Sequence, residues 1–213
     1  MSLINFIAKN RYGKWGIITY AEVIFDIAVS VPIALSLFNP VTRNPSNYST
    51  IFDIVIFTDV LIVLILTLRN SIFGLGQDIA DLTIISLFQM GSRRRVFFEE
   101  FLVDILFPAV LFLASLYFVL YLSGFSLSFQ IAPYIGLYLF LSTASFFFTI
   151  TLKKPLRSLG VFLLFAFSFF VLLNHFNALF VEISFLQISE ILLFSSLFLL
   201  FISYLVFTRV LSL

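Results

Sequence analysis

The chain has 213 residues, 62% of them hydrophobic and only 11% charged, where a soluble domain carries about 25% charged residues. Phe alone occurs 31 times. A soluble fold has nowhere to bury that much apolar surface, so soluble enzymes, nucleic-acid binders and disordered proteins are excluded. What remains is an all-α integral membrane protein, because the apolar stretches are long runs and not the roughly ten-residue alternation of a barrel. The absence of Cys excludes disulfides, thiolate metal sites and iron–sulfur clusters.

The chain opens with Leu3, Ile4, Phe6 and Ile7 set against Asn5, Lys9 and Asn10, a weakly amphipathic pattern. It reads either as a short helix in the membrane interface or as a frayed basic terminus. Six segments then have the length and apolarity of a span. They are Trp15 to Phe38, Ile51 to Leu68, Phe101 to Leu122, Ile131 to Leu152, Leu159 to Phe176 and Ile191 to Thr208. The first resembles a signal peptide, with Lys9, Arg11 and Lys14 before it. Its run is too long for that, and it contains Glu22 and Asp26, so it reads as a retained helix.

Orientation follows from the basic residues. With both termini cytoplasmic, Lys9, Arg11, Lys14, Arg69, Arg93, Arg94, Arg95, Lys153, Lys154, Arg157 and Arg209 lie inside, and only Arg43 lies outside. So one-sided a split sets the topology and favours an even number of spans. The outer loop 39–50 carries Asn47-Tyr48-Ser49, a possible glycosylation sequon that agrees with this side. Loops 123–130 and 177–190 fall outside as well. The latter is apolar enough, with Leu179, Phe180, Val181, Ile183, Phe185 and Leu186, to suggest an interfacial or re-entrant element.

The cytosolic loop 69–100 is the informative one. Gly74 and Gly76 are expected to break the helix leaving the membrane. Gln77 to Met90 reads as a new helix, with Asp78 and Asp81 at its N-terminal end, where the macrodipole favours carboxylates. Leu82, Ile84, Ile85, Leu87 and Phe88 are too apolar for a solvated face and call for the membrane interface or a partner. Gly91 is placed to end this helix, and Ser92 to cap the next one, which runs into the third span. Arg93-Arg94-Arg95 reads as a topology determinant touching lipid phosphates, or as part of a docking surface.

Three carboxylates lie inside spans. Glu22 and Asp26 sit roughly 10 and 16 Å above Trp15, and Asp59 about 13 Å above Leu68, so they share one depth. No Lys or Arg lies within a span to neutralise them. They read either as inter-helix hydrogen-bonding groups or as ion- or proton-handling groups. Asp53 and Asp104 fall near span boundaries and are expected to be wet. Pro32 and Pro108 are expected to kink their helices. The single His, His175, excludes bis-histidine haem ligation and reads as an interfacial polar cap. There is no phosphate loop and no nucleophile–base–acid set.

The order of parts resembles the permeases of type-two ABC exporters. The resemblance lies in the amphipathic lead-in, the six spans with both ends inside and the long loop between the second and third spans. The stretch from Asp78 to Arg95, acidic, then apolar, then a Ser-Arg turn, is similar to that family's loop, although Met90-Gly91 stands where the family usually has a Pro. The resemblance implies one half of a pore in the plasma membrane of a bacterium or archaeon, paired with a second copy or a sister permease. It implies ABC ATPase subunits as partners, ATP and Mg held on those subunits, and no cofactor in this chain. It casts Asp78, Asp81, Leu82, Ile85, Phe88, Arg93, Arg94 and Arg95 as the coupling surface. The rival readings are a subunit of a proton- or cation-translocating complex, resting on Glu22, Asp26 and Asp59, and a structural subunit of a larger membrane assembly.

Overall fold

The computed structural model describes residues 2–13, 57, 60–123, 132–179 and 185–210. Among these the protein is helical throughout, with no strand. Helix α1 spans Leu3–Tyr12, so its amphipathic pattern does form a helix. Gly13, at φ 67°, ends it in a backbone conformation that favours glycine. Helix α2 spans Val60–Ala80, α3 Ile84–Met90 and α4 Arg93–Phe101. Helix α5 spans Phe107–Ser123, α6 Ala132–Leu152, α7 Pro155–Leu179 and α8 Phe185–Leu205. Among the described residues four helical stretches are long and apolar enough to cross a membrane: Val60–Ala80, Ala132–Leu152, Pro155–Leu172 and Gln187–Arg209. The chain is therefore a membrane protein in architecture.

Several expectations need correction. Gly74 and Gly76 do not break the helix. Gly76 has ordinary helical angles (φ −62°, ψ −36°), and α2 runs on to Ala80. The glycines serve close approach instead. A Cβ on Gly74 would lie 2.5 Å from Arg11 Nε, and one on Gly76 would lie 3.2 Å from Thr149 Cγ2. The expected helix from Gln77 to Met90 is split. Gln77–Ala80 belongs to α2, and a turn at residues 81–83 separates it from α3. That turn holds Leu82 at φ 60°, where a non-glycine residue costs about 1–2 kcal/mol. The loop after α6 is shorter than expected, because Pro155 already starts α7, as its fixed φ and missing N–H suit. On the far side, Phe185 to Glu190 is continuous with the last helix and is not a separate element.

Among the described residues three stretches are π-helical: Arg69–Leu75 within α2, Leu102–Leu106 between α4 and α5, and Val206–Val210 after α8. The second lies directly before Pro108, whose missing N–H disturbs the regular ladder there. The irregularity expected at Pro108 is thus a widened turn.

These elements share one core at the end of the bundle where α1, α3 and α4 gather, its inner end in the sense of the fold alone. Leu3 and Ile7 of α1, Leu75 and Ile79 of α2, Ile84 and Leu87 of α3, Val96 and Phe97 of α4, Phe146 and Ile150 of α6, and Phe207 bury together. Phe97 sits at its centre. Its ring meets Phe98, Phe146, Tyr204 and Phe207 edge-on, at centroid distances of 5.4–5.6 Å, which favours aromatic pairs. Helix α3 therefore has partners within its own chain, contrary to the reading that it has none.

Farther out, α6 is the central post. It packs against α8, and at Gly136 the two approach so closely that a Cβ would lie 3.3 Å from both Leu192 Cβ and Ser189 O. Small residues allow such contacts between membrane helices. The α7 window is only 11% buried and that of α8 22%, against 61% for α6. Their Phe and Leu side chains, such as Phe167, Phe194 and Phe198, point outward, where lipid would meet them.

Candidate functional site

The most concentrated chemistry lies where α1, α2 and α4 meet. Helix α1 lays Arg11 across the π-helical stretches of its neighbours. Arg11 Nη2 lies 2.7 Å from Asp78 Oδ2 and 2.8 Å from Glu100 Oε2, and its Nε donates to Asp104 Oδ1 at 3.0 Å. Glu100 and Asp104 are fully buried, and Arg11 is 6% exposed. Glu100 and Asp104 are four residues apart, so the helix puts both on the face toward α1. Gly74, without a side chain, is what allows the guanidinium to lie against α2.

The next residue continues the joint. Tyr12 Oη donates to the Val103 carbonyl at 2.7 Å and accepts from Asn70 Nδ2 at 2.9 Å. Tyr138 of α6 donates to the Ile105 carbonyl at 2.9 Å and shares a hydrogen bond with Thr67 at 2.8 Å. Two tyrosines thus satisfy carbonyls of the second π stretch, which an unmet hydrogen bond would make costly to bury. Ser71 and Ser145 add a 3.0 Å link between α2 and α6.

Burial alone would lower the Arg11 pKa, but Asp104, Glu100 and Asp78 outweigh it and keep the guanidinium charged. Burial pushes the Glu100 carboxyl well above the usual glutamate range. Arg11 pulls it back, while Asp104 and Asp78 push it further up. Burial also raises the Tyr12 hydroxyl, so it remains a donor at any physiological pH. Beside the cluster opens a polar cleft of about 190 Å³, lined by Asn10, Arg11, Arg69, Asn70, Phe73 and Gly74. Among the described residues, no group of His, Asp or Glu is arranged to hold a metal ion.

The chain matches no family model, no curated protein and no solved structure. Its chemistry is therefore read from its own residues.

The residues singled out in the loop separate into two groups. Asp78 is an internal ion-pair partner of Arg11 and does not face outward. Phe88 is half-buried edge-on against Phe207, at 5.8 Å, with the Arg93 guanidinium over its ring at 5.4 Å. Arg93 also reaches the Thr208 carbonyl at 3.5 Å, tying α4 to the end of the chain's last helix. Arg95 pairs with Glu99 at 2.7 Å. Arg93 and Arg95 are exposed all the same, as are Asp81, Leu82, Ile85 and Arg94, with Met90 beside them. Ser92 caps α4 as expected, its Oγ accepting from the Arg95 N–H at 3.4 Å. Gly91 follows α3 with extended backbone at φ −165°.

Two corrections concern the cluster itself. Arg11 is not a solvated member of a basic flank, and Asp104 is not wet. The two bury each other, because an ion pair offsets part of the cost of taking each charge out of water. The signal for this was present in the intervals. Glu100 and Asp104 lie one turn apart ahead of Pro108, and Arg11 sits among apolar residues three and four positions apart. Nothing in the sequence said that the two stretches touch. Glu22, Asp26, Asp59 and Asn47 lie outside the described residues. His175 lies on α7.

Proposed function

We propose that this chain is a permease subunit of an ATP-driven exporter of the type-two ABC kind, with six spans, both termini cytoplasmic and a home in the plasma membrane. Its energy comes from a separate ATPase that binds at α3. The observation that carries this reading is the two-sided character of α3. Ile84 and Leu87 are locked into the inner core, at 0% and 3% exposure, while Leu82, Ile85 and Met90 stand out at 40–53%. An apolar edge on a rigid mount suits a partner's groove. The mount rests on α1, α2 and α4 through Arg11, so a push on α3 reaches the membrane helices. Asp81 and Arg94 add a polar rim. ATP and Mg belong to the partner, and a second copy or a sister permease completes the pore. The one-sided distribution of Lys and Arg supports the orientation.

The test is co-purification from native membranes. The wild-type protein is expected to bring down a nucleotide-binding chain, and Leu82→Glu or Ile85→Glu to release it while the bundle stays folded. Both residues are exposed, so neither substitution disturbs the core. Co-purification with redox or ion-pumping subunits and no nucleotide-binding chain overturns the reading. So does retention of the ATPase by both variants.

A further inference from the structure

The Arg11 cluster contains more acid than base. Three carboxylates, those of Asp78, Glu100 and Asp104, surround one guanidinium. Each of the two fully buried acids uses one oxygen on Arg11. The other oxygens, Glu100 Oε1 and Asp104 Oδ2, are buried with no donor. Yet both acids hang from the same guanidinium, so the two carboxyl groups are close neighbours. Two carboxylates cannot hydrogen-bond, because neither has a hydrogen. A single proton on this pair supplies a donor and removes one negative charge from a site where both acids are fully buried.

We propose that Glu100 and Asp104 form a proton-binding site, holding one proton between them, and that its occupancy sets how firmly α1 docks through Arg11. Among the described residues the groups facing this pair are few, with Arg69 on the cleft beside Arg11. From α1 come Arg11 and the Tyr12 hydroxyl, and from α2 come Asp78 and Asn70. Helix α6 contributes the Tyr138 hydroxyl, already bound to the Ile105 carbonyl. On the same helix Glu99 is also mostly buried, its Oε1 paired with the exposed Arg95 and its Oε2 without a donor. Protons have a route, because Arg11 itself lines the polar cleft and Asp78 is partly exposed.

The sign of the pH effect follows from the direction of the Glu100 shift. Its carboxyl is raised in the docked state, so docking is fully stabilised below the ordinary glutamate range. That stabilisation fades as pH rises through the raised value. Once the proton leaves, two neighbouring carboxylates share one buried cation, and their repulsion loosens α1. This inference does not depend on the ATPase partner.

Two measurements on the full-length protein test it. Infrared difference spectra over a pH titration should show the carbonyl stretch of a buried protonated carboxyl at neutral pH. It should be lost in one step and be absent from Glu100→Gln. Separately, Ile7→Cys, the only Cys in the chain, reports docking by maleimide labelling, because Ile7 is 1% exposed. Normalised at each pH to a denatured sample, which removes the rise in thiolate reactivity, labelling should increase severalfold with pH in the otherwise native chain and stay low with Glu100→Gln, which copies the protonated form. Absence of the protonated-carboxyl band at neutral pH overturns the proposal. So does a labelling profile that Glu100→Gln leaves unchanged. Should the Gln variant fail to fold, Asp104→Asn gives the same two readouts, and a band and labelling profile that it leaves unchanged overturn the proposal.

Discussion

The two ends of this molecule are held together by different physics. The inner end joins α1, α2, α3 and α4 through buried ions, tyrosine hydroxyls and a dense aromatic core. The outer part of α6, α7 and α8 is held by close approach of small residues and by van der Waals contact. Its hydroxyls mostly turn back on their own helices. Ser196 Oγ donates to the Leu193 carbonyl at 2.7 Å, and nearer the inner core Ser203 Oγ donates to Leu199 at 2.7 Å, both within α8. Bonds of the first kind fix one element on another. Bonds of the second kind only let a polar side chain live among apolar ones. The difference predicts where substitutions hurt.

The largest effect is expected at Arg11. Arg11→Met removes the cation and leaves the buried carboxylates uncompensated, at a cost of about 3–5 kcal/mol. Thermal unfolding in detergent should start much earlier, and α1 should become accessible to protease. Arg11→Lys should recover only part of this, because a point charge cannot serve three acids with a planar fork. A loss below about 1 kcal/mol for Arg11→Met would mean that the inner end is held by apolar contact after all.

Two glycines sharpen the comparison at an intermediate scale. Each lies in a helix, so each gains up to about 1 kcal/mol in helix propensity on change to Ala. At Gly160, where a Cβ meets nothing within 4 Å, that gain should appear as a rise in melting temperature. At Gly74 the Cβ would lie 2.5–2.8 Å from Arg11 Nε, Cδ and Cζ. A surface arginine would swing aside, but this one is pinned by three acids, so Gly74→Ala should destabilise. Equal responses at the two sites would show that Arg11 is free to move. The smallest effect is expected at Ser203→Ala, within about 0.5 kcal/mol of native stability, since its hydroxyl joins no second element.

Much of the architecture was legible in the sequence because membrane spans are written in composition. The runs ending at Leu152 and near Thr208 carry their apolarity in the text. The cap at Ser92 was legible for a similar reason, since capping is a local matter. What was not legible depended on contacts between distant segments. Gly74 and Gly76 look like helix breakers, and only the arrival of Arg11 and Thr149 reveals them as approach points. The apolarity of α3 pointed to a partner, yet half of it is consumed by α1 and Phe207, which lie far away in sequence. Arg11 looked like one more inside charge, because a positive-inside count cannot tell a solvated arginine from a buried one.

The three π-helical stretches all place residues in the same inner core: Leu75 from the first, Val103 and Ile105 from the second, Phe207 from the third. A π turn holds one residue more than an α turn does. Absorbing that residue into regular helix, or moving it along by one position, turns everything beyond it by about 100° about the axis. Three helices with such spare residues at one level have slack in their winding there. A rotation of a quarter-turn or so can be accommodated by re-threading hydrogen bonds, with no hinge to bend and no helix to break.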